Sequence, residues 1–503
     1  MQSYWDSKLL ILNFKEYKSA SSQTLTDQGK NKEDAMPDWK CLLKDYKEDF
    51  LRDLAGLIAI PSVKDVAQAS EEAPFGPAVK EALDYMLALG ERDGFRAKTI
   101  DNVAGHLEIG QGQEIFGILS HLDVVPAQDE EWQTPPFELK QKEGWLYGWG
   151  VSDDKGPCLA AYYALKMVLD AGYTLNQKVR LIYGTDEENN WEGVKAYFAK
   201  ETMPDFGFVP DAIFPLIYAE KGIVSLDLTK TYSSPSNLVF KSGQAYNVVP
   251  DKAQARLSGQ ANLEADFQVY LKKNDLQGNY QVQGQEQILS LKGQAAHGAG
   301  PDKGINAAIY LAHFLRTLDL DPAAQDYLAL LDDYFFADSF GQKLGLAYED
   351  QELGKVTVNP AIFSFENGQA KIGINLRYPQ MLEYSTLGEQ LDKIADGAGF
   401  VLEEISHLLP SNTDLSDPRT QTLLEVYQEA TGDSSPTLAI GGSTYGRLLK
   451  NGVSFGPAFP WSVHTLHQPN EKIKLEELWQ ATTIYAEALY RLCTLEGQED
   501  MKN

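Results

Sequence analysis

Residues 115–123 read Ile-Phe-Gly-Ile-Leu-Ser-His-Leu-Asp, and this stretch decides the fold. The continuous apolar run from Ile115 to Leu119 is typical of a fully buried strand, although a buried helical turn has the same pattern. The run ends on His121 and Asp123, whose side chains point the same way if the segment is extended. A carboxylate beside one ring nitrogen fixes the tautomer of a histidine that binds metal through the other nitrogen. The pair is therefore either a metal ligand with its orienting acid or a strand-end histidine near an acid.

A second stretch, residues 145–157, places Asp153 among glycines just ahead of Pro157. Proline suits the first turn of a helix, and helical apolar spacing continues over residues 159–169. Asp153 is therefore expected in a loop at the positive end of a helix. It is either a metal-binding carboxylate or an acid that caps the helix in a surface turn.

A third stretch, residues 178–184, predicts a strand that ends in three consecutive acids, Asp186, Glu187 and Glu188. Acids directly after a buried strand are costly unless they are paired, solvated or bound to cations. Adjacent carboxylates can divide the work, one binding metal and the other holding a proton. A solvated acidic turn is the alternative.

Two further candidates are Asp211, in an apolar stretch, and His467, in a loop before a helical pattern over residues 475–492. Five candidates thus lie beside predicted strand ends or loops, and open α/β sheets gather their sites at the carboxyl ends of strands. Two histidines and three carboxylates can hold two divalent ions if one carboxylate bridges them. Imidazole favours zinc, while carboxylates also admit manganese and cobalt.

The composition excludes some classes of protein. The chain has 503 residues and a net charge of -28, which disfavours nucleic acid and anionic membrane surfaces as partners. No stretch approaches the roughly 18 apolar residues of a membrane span. Three scattered cysteines form no disulfide framework, which suits a reducing cytosol, so we expect a cytoplasmic protein.

The motifs HLDVVP, SDDKGP, GTDEEN, PDAIFP and HQPNE occur in one order along the chain. In that order they resemble the dinuclear zinc metallopeptidase family of aminoacylases, carboxypeptidases and carnosinases. PDAIFPLIYAEKG, AYNVVPDKA and GGSTYGRLL favour its V-type bacterial dipeptidases, and the resemblance covers the chain from about residue 36 to its end. It implies an α/β fold, a zinc-peptidase-type catalytic domain with a mixed sheet flanked by helices plus an inserted α+β lid domain.

The resemblance also implies a role for each candidate metal residue. Asp153 is expected to bridge two divalent ions per chain, most simply zinc, with manganese or cobalt as alternatives. His121 and Asp211 complete one metal site, and Glu188 and His467 complete the other.

The remaining site residues are also assigned by resemblance. Asp123 is expected to orient His121, Glu187 to act as the general base, and His297 to stabilise the developing oxyanion. Asn247 and Arg377 are expected to hold the substrate carboxylate. Without the resemblance, His297 is a helix-start histidine and Arg377 a strand arginine paired with a surface acid.

The expected activity is hydrolysis of dipeptides with a free N-terminus by a metal-bridged hydroxide. The partner is then a small peptide substrate, and related enzymes suggest a monomer. An N-acyl-amino-acid deacylase of the same family is one alternative, and a non-catalytic metal- or peptide-binding protein is an alternative of another class.

Several positions depart from the family pattern. Trp149 stands where the family commonly has arginine, and His464 stands where related dipeptidases carry an acid. His464 also competes with His467 for the metal. Three histidines match no motif and are predicted to be structural: His106, His313 and His407.

The metal candidates fall into two blocks, residues 36–222 and 411–503, which we predict to form the catalytic domain. Residues 223–410 carry strand and helix signals of their own, together with His297, Asn247 and Arg377. They are predicted to form an inserted lid that closes on substrate and excludes water. Residues 1–35 are polar without sustained periodicity and are predicted to be either a disordered extension or an artefact of start-site choice.

Overall fold

The structure is a computed structural model that describes residues 37–127, 131–234 and 236–501. The extension predicted at residues 1–35 lies outside the described residues. Among the helices that the structure describes, none is long and apolar enough to cross a membrane.

The first part of the chain combines helices with strands, as expected of an α/β fold. Its elements are α1 (Trp39–Leu42), α2 (Lys47–Ile58), α3 (Pro77–Arg92), β1 (Arg96–Ile100), β2 (Ala104–Ile109), β3 (Ile115–His121), β4 (Lys140–Lys142), β5 (Trp145–Tyr147), α4 (Lys155–Asp170), β6 (Lys178–Gly184), α5 (Glu192–Lys200), β7 (Phe206–Val209), β8 (Ala212–Ile213) and β9 (Ile217–Glu220).

The middle of the chain, residues 222–408, is called here the inserted segment. Its elements are β10 (Gly222–Thr231), β11 (Leu238–Ser242), β12 (Lys252–Ser258), α6 (Glu264–Lys273), β13 (Gln277–Gln283), β14 (Glu286–Lys292), α7 (Ala307–Leu315), α8 (Pro322–Phe335), β15 (Glu349–Asp350), β16 (Gly354–Lys355), β17 (Thr357–Glu366), β18 (Gln369–Tyr378), α9 (Tyr384–Ala398) and β19 (Val401–Leu408).

The last part of the chain returns to the first sheet. Its elements are β20 (Ser411–Asn412), α10 (Pro418–Thr431), β21 (Leu438–Ile440), β22 (Gly452–Ser454), β23 (Pro457–Ala458), β24 (Lys472–Lys474), α11 (Leu475–Cys493) and α12 (Leu495–Asp500).

The first sheet is mixed and has β3 near its centre, in the order β1-β2-β6-β3-β7-β22-β9-β20, with β21 beside β9. Every residue of β3 is buried, which confirms the strand predicted from its apolar run. Phe116 and Ile118 pack on one face into a core with α4 and α11, and Leu119 packs on the other face near α5. Helices thus flank the sheet on both sides, and the predicted fold class is confirmed.

The inserted segment builds a second sheet, in the order β13-β14-β12-β11-β17-β18-β10-β19. The buried side chains of its core all come from residues 224–400, including those of α6, α7, α8 and α9. This core is therefore separate from the core around β3.

The chain enters and leaves the inserted segment at neighbouring points. Ile223 lies opposite Leu408 in the β10–β19 pairing, and Glu220 lies opposite Ser411 in the β9–β20 pairing. Arg447 contacts the chain at both points. Its guanidinium donates to the carbonyl oxygen of Lys221, where the segment begins, at 2.9 Å and to that of Leu409, where it ends, at 3.1 Å. The same guanidinium pairs with the Glu220 carboxylate at 2.8 Å, so one side chain fastens entry and exit together.

Candidate active site

Three neighbouring parallel strands bring the predicted acids and a histidine to one edge of the first sheet. β3 pairs in parallel with β6 on one side and with β7 on the other. β3 ends at His121, β6 is followed by Glu187 and Glu188, and β7 is followed by Asp211. Because the carboxyl ends of parallel strands meet at one edge, these side chains are gathered there. Asp153 joins them from the loop that precedes α4, as its sequence context predicted.

Asp153 lies between two imidazoles. Its Oδ1 is 2.9 Å from His121 Nε2, and its Oδ2 is 3.1 Å from His467 Nε2. A carboxylate that offers one oxygen to each side has the arrangement needed to bridge two cations.

The five predicted metal residues form two groups that share Asp153. In the first group, Asp211 Oδ2 lies 3.5 Å from His121 Nε2. In the second, Glu188 Oε1 lies 3.0 Å from His467 Nε2. Within each group, the atoms that could bind a metal all lie within 4.8 Å of one another. The structure therefore brings together all five residues that the sequence pointed to.

Asp123 belongs to neither metal group, but it contacts three residues of the site. His121 Nδ1 lies 3.0 Å from the main-chain oxygen of Asp123 and 3.5 Å from its Oδ1. Because a carbonyl oxygen only accepts, Nδ1 carries the hydrogen in this contact, and Nε2 is the nitrogen that faces Asp153 and Asp211. The two carboxylate oxygens accept the backbone N–H groups of Glu187 and Glu188 at 3.0 and 3.1 Å. Asp123 thus orients one imidazole and two neighbouring acids.

The side chains of the two groups shift one another's pKa values. Hydrogen bonds with Asp153 and Glu188 raise the pKa of His467 to about 11. Burial raises the pKa of Glu188 to about 7, and repulsion from Asp153 adds to the shift. Burial opposes ionisation of Asp153 as well, but its hydrogen bonds with His121 and His467 outweigh burial and lower its pKa.

This donor set fits two divalent cations. Three carboxylates and two imidazoles supply hard oxygen and borderline nitrogen ligands, the combination that zinc accepts. Buried carboxylates that outnumber their cationic partners are stabilised when metal ions neutralise them. Asp153, the residue common to both groups, is placed to serve both ions.

The three consecutive acids have three different environments. Asp186 is buried and pairs with Lys64 at 2.7 Å. Glu187 lines a cavity beside the metal groups, and burial raises the pKa of its carboxyl well above the usual range. Glu188 belongs to the second metal group, with a side chain only 9% exposed. These environments argue against a solvated acidic turn.

Glu471 is a supporting residue that the sequence did not single out, although it ends the HQPNE motif. Its buried carboxylate accepts backbone N–H groups from Gly150 at 2.9 Å, Ser152 at 2.7 Å and Asp153 at 3.1 Å. Burial raises its pKa to about 8, and the charge of Asp153 adds to the shift. Glu471 therefore fixes the loop that presents Asp153. An acid four residues after His467 was the only signal that could have identified it.

His467 adopts a left-handed backbone conformation with φ 57, which is uncommon outside glycine and often occurs at functional sites. His464 lines the same cavity but belongs to neither metal group.

Trp149 is buried, and its indole N–H donates to the carbonyl oxygen of Val125 at 2.5 Å. The Trp149 side chain therefore packs in the interior, next to the loop that leads to Asp153.

The inserted segment gathers its own three candidates. An isolated bridge pairs Val248 with His297, and the carbonyl oxygen of Asn247 accepts the N–H of Gly298 at 2.7 Å. Arg377 Nη2 lies 3.5 Å from His297 Nε2. Burial lowers the pKa of His297 to about 4, and the nearby Arg377 charge lowers it further. His297 is therefore held as a neutral imidazole beside a guanidinium.

Among the residues that the structure describes, no surface acid pairs with Arg377. It is buried and donates to the carbonyl oxygen of Gly441, in the GGSTYG loop. Ser443 and Thr444 of that loop line the cavity beside the metal groups, whereas no residue of the inserted segment does so among the described lining residues. His297, Asn247 and Arg377 thus form a cluster that the GGSTYG loop links to the cavity.

The other three histidines have structural partners. Tyr197 Oη lies 2.8 Å from His106 Nδ1, Asp332 Oδ1 lies 2.6 Å from His313 Nδ1, and Tyr378 Oη lies 2.6 Å from His407 Nε2. None of them is in a metal group.

Comparison with curated proteins finds relatives over most of the chain. A Staphylococcus haemolyticus protein with a provisional dipeptidase name is 41% identical over 466 residues, which are 90% of this chain and 99% of that protein. A Staphylococcus aureus protein with a provisional dipeptidase name is 41% identical over 469 residues, 91% of this chain and 100% of that protein.

Solved structures show the same fold at low sequence identity. A dipeptidase from Saccharomyces cerevisiae aligns with a TM-score of 0.56 at 16% identity, covering 90% of this chain and 97% of its own. Human carnosine dipeptidase 1 aligns with a TM-score of 0.53 at 15% identity, covering 89% and 97%. The family model for peptidase family M20/M25/M40 matches residues 117–491, which include all five metal candidates. The chain therefore belongs to peptidase family M20/M25/M40.

Proposed function

We propose that this protein is a metal-dependent dipeptidase that hydrolyses the peptide bond of dipeptides with a free N-terminus. One observation carries the proposal: Asp153 lies between two groups of metal-ligand side chains, beside the Glu187 carboxylate at the cavity wall. The dipeptidase names of the staphylococcal relatives support the choice of substrate.

The five clustered residues are assigned to two metal ions. Asp153 would bridge them, His121 and Asp211 would hold one, and Glu188 and His467 would hold the other. Zinc suits the mixed nitrogen and oxygen ligands, and manganese and cobalt are the alternatives. Bound ions activate water and polarise a carbonyl group in sites of this kind.

Glu187 is assigned as the general base. It accepts a proton from the attacking water and delivers that proton to the leaving amine, so the same carboxylate serves both halves of the reaction. Its backbone N–H is held by Asp123, which also orients His121. Asp123 therefore positions both Glu187, the proposed proton acceptor, and His121, a proposed metal ligand.

Residues 223–410, which contain all of the inserted segment except Gly222, are assigned as a lid over a catalytic domain formed by residues 36–222 and 411–503. Arg377 and Asn247 bind the C-terminal carboxylate of the substrate, and His297 donates to the oxygen that gains negative charge. The contact of Arg377 with Gly441 supports this arrangement, because it joins the cluster of the inserted segment to the loop beside the cavity. Closure would exclude water from the reacting groups.

The test is a substrate panel assayed with zinc-loaded protein. A free dipeptide, its N-acetylated form and a tripeptide share the same first two residues. We expect the free dipeptide to be hydrolysed fastest and the reaction to stop when a chelator removes the metal. Faster hydrolysis of the N-acetylated compound would assign the protein as a deacylase. If no compound of the panel is hydrolysed in a chelator-sensitive way, the protein would instead be assigned as a non-catalytic metal- or peptide-binding protein.

A further inference from the structure

We propose that the cavity beside the metal groups is a subsite for an apolar side chain of the substrate's first residue. The preferred substrates are then dipeptides whose N-terminal residue is aliphatic or otherwise apolar. This inference rests on the proposed dipeptidase function and adds a substrate class to it.

The cavity is small, and part of its wall is apolar. Its volume, which includes the space beside the metal candidates, is about 300 Å³, the lower end of the range of about 300–1,000 Å³ for small-molecule pockets. Ile213, Ile217 and Ile440 form part of its wall, together with Pro457 and Ala458. Transfer of an apolar side chain from water to such a wall is favourable in proportion to the area buried.

The mouth of the cavity carries apolar side chains that are open to solvent. Val463 is 52% exposed and Leu466 is 40% exposed, and both line the cavity. They lie on the loop that also presents His467. Neighbouring exposed apolar side chains at a concave site are typical of a surface that a ligand covers. A substrate that reaches the metal groups would bury them.

The metal end of the cavity is lined by Asp153, Glu187, Glu188, Asp211 and His467. Away from that end, the charged lining residues favour an apolar occupant. Glu477 is buried, and its carboxylate already accepts the Ser462 hydroxyl at 2.7 Å. Lys474 and His464 lie at the exposed edge of the cavity. Among the described lining residues, none therefore offers a buried cation to an acidic side chain. An unpaired charge placed against the isoleucine wall would be penalised by desolvation.

The position of the cavity assigns it to the first residue of the substrate. Arg377, the proposed partner of the C-terminal carboxylate, reaches the GGSTYG loop from the inserted segment at Gly441. Ser443 and Thr444 of the same loop line the cavity. A dipeptide whose carboxylate is held on the Arg377 side therefore extends its other end past Glu187 into the cavity.

The first experiment measures kcat/KM for Leu-Ala, Ser-Ala, Asp-Ala and Lys-Ala with zinc-loaded protein. We expect Leu-Ala to exceed Ser-Ala by at least about 10-fold, since even one methylene in an apolar pocket changes kcat/KM by roughly 10–200-fold. Asp-Ala and Lys-Ala should be poorer still. Ala-Leu and Ala-Ser vary the second residue instead. The ratio of their kcat/KM values should be smaller than the ratio for Leu-Ala and Ser-Ala.

The second experiment places a charge at the mouth. Val463→Asp should lower kcat/KM for Leu-Ala by at least about 10-fold and should narrow or reverse the ratio of Leu-Ala to Lys-Ala. Val269→Asp is the matched control, because Val269 is 68% exposed on α6, in the inserted segment, and does not line the cavity. Metal content is measured in both variants, since Val463 is close in sequence to His467.

The outcomes separate the inference from the function on which it rests. Dipeptides cleaved at equal rates whatever their first residue would overturn the apolar subsite and leave the dipeptidase assignment intact. A preference confined to the second residue would also overturn it, as would a Val463→Asp variant with full metal content and unchanged substrate ratios. Absence of hydrolysis of every free dipeptide would refute the proposed function itself.

Discussion

Replacement of Glu471 by glutamine should weaken metal binding without removing a metal ligand. The Glu471 carboxylate accepts the N–H groups of Gly150, Ser152 and Asp153, so it fixes the loop that presents the shared carboxylate. Glutamine keeps the shape of the side chain but turns one accepting oxygen into a donating amide nitrogen. At least one of the three N–H groups then faces a donor.

The size of the effect follows from this one lost contact. A buried donor that is left without its acceptor costs about 1–3 kcal/mol. If this cost is expressed in the position of Asp153, zinc affinity falls by about 5–150-fold, at about 1.4 kcal/mol for each factor of ten. Outer residues that orient metal ligands have a similar effect, about 10–100-fold.

The assay is a competition titration of zinc against a chromophoric chelator, with the thermal unfolding of the metal-free protein measured alongside. Glu366→Gln is the control, because Glu366 lies on β17 in the inserted segment and pairs with Lys241 at 2.6 Å. Wild-type zinc affinity in a folded Glu471→Gln protein would refute the reasoning. So would an equal loss of affinity in the control.

Four further predictions concern residues with proposed direct roles. Asp153→Ala should reduce bound metal more than any other single ligand change, because it serves both groups; elemental analysis measures this, and a variant that keeps both ions contradicts the bridge. Glu187→Gln should retain metal and lose about 10²–10⁴-fold in turnover; near-normal turnover would move the base to another residue. His297→Ala should lower kcat more than it raises KM, as expected for an interaction made in the transition state; steady-state kinetics would contradict this if only KM changed. Arg377→Ala should raise KM for dipeptides, and the unmodified protein should cleave dipeptide amides poorly; amides cleaved as fast as free dipeptides would give Arg377 a structural role.

Much of the site could be predicted from the sequence because its ligands follow local patterns. The apolar run that ends at His121, the acids after β6 and the proline-marked start of α4 are each readable within a dozen residues. Parallel strands then bring such positions to one edge whatever the details of packing. The clustering of His121, Asp153, Glu188 and Asp211 needed little more than the correct strands.

The remaining features depend on contacts between distant parts of the chain. Glu471 supports a loop more than 300 residues earlier in the sequence, and no local pattern marks an acid as the acceptor for another loop. The apolar cavity draws its walls from several separate segments, so its composition exists only in the fold. Apolar residues recur at helical spacing from Leu43 to Ile58 and predict one helix there, whereas the structure has a 3₁₀ turn at Leu43–Asp45 between α1 and α2. Both helix types bury a similar face over so few residues, so periodicity does not separate them.

The inserted segment begins and ends at neighbouring points, and this bears on how it can be gained or lost by insertion or deletion in the gene. Ile223 and Leu408 face each other across an antiparallel pair, where Cα atoms lie only about 4.5–5.5 Å apart. A host chain can therefore accept 187 residues, 222–408, at one point of its surface without opening its own sheet. The same proximity means that a short turn could rejoin the host if the segment were cut out of the gene. The length and the surface loops of the segment can thus change by insertion or deletion, while the host retains all five candidate metal ligands.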